Sequence, residues 1–235
     1  ATFSAISSID VSNATELETF SLTNSELSKI DFTNSTKLRF LTLNQNNIDN
    51  LDLSKNTELD YVDVSGNNLK RLNLFKNPEL RSVRANDNNI INFDISQNPK
   101  LQLLYLQNNN LERLNLKNGE NEVLFNLRLT NNPNLTCVAV DNVENIPTFW
   151  TQKDEQTNFS DNCNAEWSVY LGTPELKSIL LSVEGLDTNN DGEITYEEAL
   201  DFVGDLDFSN QNITDITGIE AFANANNIDL SNNSI

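Results

Sequence analysis

The 235-residue chain contains no histidine, and this absence excludes several classes of active site. Ser-His-Asp and Cys-His catalytic arrangements, histidine general bases and histidine metal ligands all require an imidazole. The seven glycines form neither a Gly-Lys-Ser/Thr tripeptide nor a GxGxxG pattern, which excludes the common phosphate-binding loops. Carboxylate pairs could in principle hydrolyse glycosides, but 35 acidic residues make any single pair uninformative. We therefore do not expect an enzyme.

Basic residues are also scarce, since 15 Lys and Arg stand against 35 Asp and Glu and give a formal net charge of −20. Nucleic acids and anionic membranes require clustered Lys and Arg, so neither is an expected partner. No apolar run approaches the roughly 18 residues that a membrane-spanning helix needs. The charge is unevenly divided: residues 1–140 carry a net −3 and residues 141–235 a net −17. Net charge therefore excludes little for a ligand of the first part.

Methionine is absent and cysteine occurs only twice. Because the chain begins at Ala1, we expect a mature chain or a fragment from which any signal peptide has been removed. Cys137 and Cys163 are 26 residues apart, without a CxxC spacing or a histidine, which disfavours a zinc or thioredoxin-like site. A disulfide between them is the preferred interpretation, and two buried thiols are the alternative. A disulfide would indicate an oxidising compartment.

Asparagine is abundant, at 41 residues or about one in six, and much of it belongs to a repeat. The repeat reads LxxLxLxxNxLxxLxLxxNxx, and a sixth copy follows an insertion at 117–123. Five units of 21 residues align on Leu17, Leu38, Leu59, Leu80 and Leu101. Alternating apolar residues point to one side of a short strand, and stacked units bury one another's apolar faces. We interpret the asparagines as structural, because their amides can satisfy backbone groups in the turns.

This repeat resembles the leucine-rich-repeat family, most closely the short 21-residue class of secreted and surface bacterial proteins. The resemblance covers roughly residues 6–140, and we assign residues 1–140 to this first array. It implies a mainly β fold, a solenoid with parallel β-sheets and little helix. Because both half-repeats read LxxLxL, we expect a strand on each side of the solenoid. Ligands of this family usually bind the surface of the main sheet.

The outward positions of that sheet form the candidate ligand face. They carry four of the six arginines of the chain and four aromatic residues. Arg and aromatic residues are enriched in interface hot spots, and exposed aromatic rings also suit stacking on sugars. The ligand-face residues are Arg39, Phe40, Tyr61, Asp63, Arg81, Arg84, Tyr105, Phe125 and Arg128. A solvated face whose aromatic rings pair across strands is the alternative, and the sequence does not choose between protein and glycan.

Residues 141–165 lack the repeat spacing and resemble the C-terminal cap of secreted bacterial leucine-rich-repeat proteins. A cap is needed because the last unit otherwise exposes its core and a strand edge. We expect Trp150 and Phe159 to cover that core, and a Cys137–Cys163 disulfide to join the cap to the last unit.

Residues 187–198 read DTNNDGEITYEE and match the EF-hand calcium loop D-x-[DN]-x-[DN]-G-x5-E at every position. Helical patterns on both sides define a helix-loop-helix segment over residues 166–204. The predicted Ca²⁺ ligands are Asp187, Asn189, Asp191, Glu193, Thr195 and Glu198, with Glu193 contributing its backbone carbonyl. An Asp- and Asn-rich turn is the alternative. The single loop is similar to dockerin-like and leucine-rich-repeat caps, which implies a structural ion of modest affinity.

Residues 205–235 return to an apolar pattern, now with a 22-residue period similar to the internalin type of leucine-rich repeat. The second unit stops part-way, so we expect this open end to stack on another copy or on the first array. Two functions follow from the sequence. One is a secreted or cell-surface module that recognises an extracellular protein or a glycan through the first array. The other is a structural spacer of a larger repeat protein, in which calcium rigidifies the junction.

Overall fold

The computed structural model describes residues 6–161, 163, 168–188, 190 and 192–235. These residues belong to two compact units, and the division lies after Cys163. Unit 1 consists of three-residue strands joined by turns, and each strand has one inward apolar side chain between two outward ones. Its strands are β1 (Thr19–Ser21), β2 (Phe40–Thr42), β3 (Tyr61–Asp63), β4 (Ser82–Arg84), β5 (Asn92–Asp94), β6 (Leu103–Tyr105), β7 (Arg113–Asn115), β8 (Asn126–Arg128), β9 (Cys137–Ala139) and β10 (Asn158–Ser160).

The first sheet of unit 1 is open, parallel and six-stranded, in the order β1-β2-β3-β4-β6-β8. Its strands pair without stagger, so that Leu41 lies opposite Val62 and Val62 lies opposite Val83. The central residue of each strand from β2 to β8 points into a continuous apolar core. Each buried aliphatic side chain contributes on the order of 1.5–3 kcal/mol. Because the strands pair without stagger, residues one repeat apart form columns across the outer surface.

The second sheet has only four strands, in the order β10-β9-β7-β5. The expectation of a strand on both sides is therefore wrong for the first units, since residues 30–32, 51–53 and 72–74 form no ladder. Leu51 and Leu53 are nevertheless buried. The alternating pattern specifies which side chains point inward, but it does not specify whether neighbouring backbones come close enough to pair.

In each repeat from Asn46 to Asn132, one buried asparagine lies where the chain leaves the first sheet. It directly follows a residue in the left-handed conformation, such as Gly66 (φ 65°). In Asn67, Oδ1 accepts from the backbone N–H of Ile48 at 3.0 Å. Its Nδ2 donates to the carbonyls of Leu43 at 2.9 Å and Val64 at 3.0 Å. The same bonds recur at Asn46, Asn88, Asn109 and Asn132. The amides thus join neighbouring turns, as the structural interpretation predicts.

Residues 141–161 add a further turn that covers the last repeat of unit 1. Trp150 is 4% exposed, and its indole Nε1 donates to the carbonyl of Leu124 at 2.7 Å. Its ring lies 5.4 Å from that of Phe159. Cys137 is joined to Cys163 by a disulfide with an S–S distance of 2.05 Å. These contacts match the cap expected from the sequence.

Unit 2 contains α1 (Pro174–Leu181), α2 (Tyr196–Asp201), β11 (Asp205–Asp207) and β12 (Asn227–Asp229) around its own apolar core. The strands β11 and β12 are parallel. Asn233 repeats the asparagine pattern, because Nδ2 donates to the Phe208 carbonyl at 2.7 Å and Oδ1 accepts from Ile213 at 2.9 Å. Stacking of residues 205–235 on another copy stays a prediction. In the described part of the chain, no helix has the length and apolar character required to cross a bilayer.

The asparagine contacts predict a large loss of stability on truncation. Asn67→Ala leaves the Ile48 N–H buried without a partner, which costs about 1–3 kcal/mol. The Leu43 and Val64 carbonyls each lose one of two donors and keep the amides of Asn46 and Asn88. We therefore expect a loss of roughly 2 kcal/mol or more in urea unfolding followed by circular dichroism. Asn68→Ala is the control, since this neighbouring side chain is exposed, and it should change stability by less than about 0.5 kcal/mol. Equal effects of the two substitutions would contradict the account.

Two aspartates at the same position of different units have pKa values displaced in opposite directions. At Asp31, hydrogen bonds from the side chain and then the backbone of Thr33 lower the pKa. At Asp94, burial raises the pKa, although hydrogen bonds from Ser96 and Asn115 oppose it. A lowered carboxyl pKa stabilises the fold above the unfolded-state pKa, and this contribution is lost as the pH falls. A raised pKa has the opposite effect, because the folded state takes up the proton first.

The two positions should therefore give opposite pH slopes when each aspartate is replaced. Between pH 7 and pH 3, wild type should lose stability relative to Asp31→Asn and gain stability relative to Asp94→Asn. Urea midpoints measured across this range for all three proteins test the prediction. Slopes of the same sign for the two variants would be incompatible with it.

Candidate functional site

The outward residues of the first sheet form three columns, which we call the sheet face. The columns contain the residue before each strand, the first strand residue and the third strand residue. From β2 to β8 they are Arg39, Asp60, Arg81, Gln102 and Phe125; Phe40, Tyr61, Ser82, Leu103 and Asn126; and Thr42, Asp63, Arg84, Tyr105 and Arg128. All nine predicted ligand-face residues lie in these columns. The repeat spacing is what brings them together.

Two of the four arginines on the face share one carboxylate. Asp60 Oδ2 lies 3.6 Å from Arg39 Nη2 and 3.3 Å from Arg81 Nη1. Exposed pairs of this kind contribute only about 0–1 kcal/mol to stability, but the shared carboxylate reduces the net charge of the three groups to +1. Asp60 was not among the predicted site residues. The signal was present, because an acid stands 21 residues from an arginine on either side.

The other two arginines lie against one tyrosine. The register places Arg84 beside Tyr105 and Tyr105 beside Arg128 on successive strands. Their guanidinium carbons are 5.2 Å and 4.3 Å from the centroid of the Tyr105 ring. Among the described residues, neither arginine has a carboxylate within 4.0 Å, and Arg84 Nε is buried without a hydrogen-bond partner. We call these three residues the Arg-Tyr-Arg cluster.

Asp63 corrects one expectation, because its side chain is covered and the residue is only 9% exposed. Its Oδ1 accepts from the Ser65 backbone N–H at 3.1 Å and from the Ser65 hydroxyl at 2.6 Å. The Tyr61 hydroxyl lies 3.4 Å from Oδ2. Burial, followed by the Asp63 charge, raises the pKa of Tyr61, and Arg84 opposes this shift. Asp63 is thus held by its neighbours instead of pairing with Arg84, which lies opposite it in the register.

Large apolar side chains flank these charged groups. Phe40 is 40% exposed and Phe125 is 58% exposed. The Arg39 guanidinium carbon lies 5.3 Å from the Phe40 ring. Phe40 and Tyr105 lie against arginines, and across the described residues no two aromatic rings of the face pair with each other. This arrangement differs from the alternative interpretation, a solvated face whose aromatic rings pair across strands.

The described part of the predicted calcium loop is held by hydrogen bonds from its own backbone. Asp187 Oδ2 accepts from the Gly192 N–H at 3.1 Å, and Oδ1 is buried without a hydrogen-bond partner. The Glu193 carboxylate forms an ion pair with Lys177, which leaves only its carbonyl for the predicted role. Asn189 and Asp191 lie outside the described residues. Within the described ones, no three acidic or cysteine side chains form a group that could hold an ion.

Glu198, the last residue of the loop, accepts four hydrogen bonds through its carboxylate. Its Oε1 accepts from the Thr188 N–H at 2.7 Å and the Thr188 hydroxyl at 2.8 Å. Its Oε2 accepts from the N–H and hydroxyl of Thr195, whose own Oγ1 caps α2. Burial acts to raise the pKa of Glu198, but these hydrogen bonds together lower it. The sequence did not predict this role of Thr188, because position 2 of the loop motif has no residue preference.

The predicted calcium loop forms backbone contacts with another segment at Ile194. The Val169 N–H donates to the Ile194 carbonyl at 2.5 Å, and Ser168 forms an antiparallel bridge with Thr195. EF-hand loops usually pair with a second loop, and the sequence contains one such loop. The segment 168–169 provides the backbone partner here.

Comparison with known proteins shows the fold. No family model and no curated protein matches the chain. Among solved structures, it is similar to the functional domain of InlJ from Listeria monocytogenes, which includes a cysteine ladder, at 22% identity and a TM-score of 0.50. That likeness covers 66% of this chain and 36% of InlJ. An internalin, InlF, from the same species matches at 22% identity and a TM-score of 0.44, covering 68% and 46%.

The chain therefore spans less than half the length of either solved protein. The InlJ likeness, together with the parallel sheets, gives the fold as a leucine-rich-repeat solenoid with open sheets and little helix. The fold class inferred from the 21-residue repeat is confirmed.

Proposed function

We propose that the protein is a non-enzymatic binding module that recognises an extracellular protein or a glycan through the sheet face. The observation that carries the proposal is the Arg-Tyr-Arg cluster, whose arginines have no described carboxylate within 4.0 Å, on a face with exposed Phe40 and Phe125. Exposed aromatic rings beside arginine are typical of interface hot spots. A regular surface of a repeat solenoid is suited to extended contacts.

The cysteine chemistry supports a location outside the cell, either secreted or on the cell surface. Cys137 and Cys163, the only two cysteines of the chain, form a disulfide. Structural disulfides persist in oxidising compartments and are rare in the cytosol.

We further propose that the loop at 187–198 binds one Ca²⁺ and that the ion stiffens unit 2. Asp187 supports this assignment, because its Oδ1 is a buried acceptor without a donor. Glu198 stands at the last position of the loop motif and would exchange hydrogen bonds from Thr188 and Thr195 for the ion. The ligands would be the side chains of Asp187, Asn189, Asp191, Thr195 and Glu198 with the Glu193 carbonyl. The ion would supply positive charge to a segment rich in carboxylates. A spacer in a larger repeat protein is the alternative function that this calcium site favours.

The binding proposal is tested by alanine substitution of Phe40, Tyr61, Arg84 and Tyr105, singly and together. We expect the combined variant to lose at least tenfold in binding to whatever partner a glycan array or an extracellular-protein pull-down identifies for wild type. Asn92→Ala on the second sheet is the control, since this exposed side chain lies off the face. Thermal unfolding of each variant excludes a folding defect. Binding that survives all four substitutions would show that the face is wrong.

The calcium proposal is tested by titration calorimetry with Ca²⁺. Wild type should bind one ion with a dissociation constant of roughly 10⁻⁵–10⁻³ M, as expected of an unpaired site. Asp187→Asn and Glu198→Gln should abolish the heat. Glu193→Gln is the matched control and should retain it, because its side chain pairs with Lys177 and only its carbonyl is assigned to the ion. Equal heats from wild type and Glu198→Gln would refute the site.

A further inference from the structure

We propose that the Arg-Tyr-Arg cluster binds a carboxylate side chain on an acidic segment of a partner protein. The inference rests on the proposed function of the sheet face and deepens it by naming the chemistry of the partner. Arg84 and Arg128 would donate to the two carboxylate oxygens, and Tyr105 between them would hold both guanidinium groups in place. Charge-assisted hydrogen bonds from arginine to a carboxylate are among the strongest that proteins form.

The two charges of the cluster are close together, and no described carboxylate lies within 4.0 Å of either. Both guanidinium groups lie against the same ring, so their separation is at most roughly 10 Å, a distance over which like charges repel at ordinary salt. The tyrosine face attracts each cation, by about 0.5–1 kcal/mol at exposed sites, but it has no net charge to offset them. A carboxylate placed between the arginines would be attracted by both and would remove their mutual repulsion.

The lack of a partner within the sheet has a structural cause. In the parallel register, Asp63 lies opposite Arg84 and would be expected to pair with it. Both oxygens of Asp63 instead face other donors, with Oδ1 bonded to Ser65 and Oδ2 near the Tyr61 hydroxyl. Arg84 lies over Tyr105 on the other side, and its buried Nε has no acceptor.

Asp60 shows the contrasting case on the same face. It lies between Arg39 and Arg81, in the column of residues that precede the strands, and its carboxylate is within 3.6 Å of both. The face therefore has one arginine pair with an acid between its members. Among the described residues, the second pair has no carboxylate within 4.0 Å.

The surroundings of the cluster favour a protein segment over a sugar. Phe125 precedes the strand that carries Arg128 and is 58% exposed, and Leu103 lies in the adjoining column. A peptide can place an apolar side chain against these residues and an acid against the arginines. An acidic glycan has the charge and could stack a sugar ring on Phe125, but it has no aliphatic side chain to place against Leu103, and its hydroxyl groups are costly to bury there.

The test uses the full chain and a fluorescein-labelled hexaglutamate peptide in 150 mM NaCl, where screening limits the effect of the overall negative charge. Binding is measured by fluorescence anisotropy, with hexaglutamine as the uncharged peptide. Wild type should bind hexaglutamate at least tenfold more tightly than hexaglutamine. The double substitution Arg84→Gln and Arg128→Gln should weaken hexaglutamate binding at least tenfold.

The single substitution Arg128→Gln should also weaken hexaglutamate binding, and Arg81→Gln is its matched control, because it removes the same single charge from the same face but from an arginine that already pairs with Asp60. It should change binding less than twofold. Equal loss in Arg81→Gln, unchanged binding in the double variant, or no preference of wild type for hexaglutamate would overturn the proposal. Thermal unfolding midpoints of all variants show that the folds are comparable.

A heparin hexasaccharide separates the two sources of negative charge. If it binds through Arg84 and Arg128 while hexaglutamate does not, the proposed protein partner is wrong. Failure of the inference is also distinguishable from failure of the proposed function. Partner capture that depends on Phe40 and Tyr61 but survives the double glutamine substitution would leave the binding face in place and remove only the carboxylate site.

Discussion

The structure of unit 1 depends on the buried asparagine amide that joins each turn to the next. In each repeat with such an asparagine, the amide accepts from a backbone N–H of the preceding turn and donates to carbonyls on both turns, as Asn67 does. Among the standard side chains only glutamine has the same acceptor and two donors, and it is longer by one methylene group. A buried backbone group without its partner costs about 1–3 kcal/mol, so a turn that shifted by one residue would lose several such bonds. The amides therefore fix the spacing of the whole array.

A fixed spacing turns distance along the chain into contact on the surface. Arg39, Asp60 and Arg81 are 21 residues apart and form one charged group, and Arg84, Tyr105 and Arg128 form another. The two groups differ only in detail. An acid lies between the arginines in the first, and a neutral ring lies between them in the second. The negative charge of the chain also depends on position. The sheet face lies in residues 1–140, which carry a net charge of −3, and the excess carboxylates lie beyond residue 140.

Much of the fold was predictable from the sequence, because the repeat encodes it directly. The inward leucines, the asparagine positions and the parallel strands all follow from a 21-residue pattern with alternating apolar residues. The second sheet was over-predicted, because burial of Leu51 and Leu53 needs no ladder between neighbouring backbones.

The site was predictable as a set of positions but not as a set of interactions. The spacing alone places Arg84, Tyr105 and Arg128 in one column. It does not reveal that Ser65 and Tyr61 hold Asp63, because a side chain that leans along its own strand leaves no periodic signal. For the same reason, the sequence does not separate the arginine pair that shares a carboxylate from the pair that does not.

The central claim is that the stacking register holds two arginines against one tyrosine. Nuclear Overhauser effects from the Tyr105 ring protons of the full chain measure this most directly. The account predicts contacts to side-chain protons of both Arg84 and Arg128, and none to Arg81, which lies in another column. A Tyr105 ring that shows contacts to only one arginine, or to neither, would contradict it.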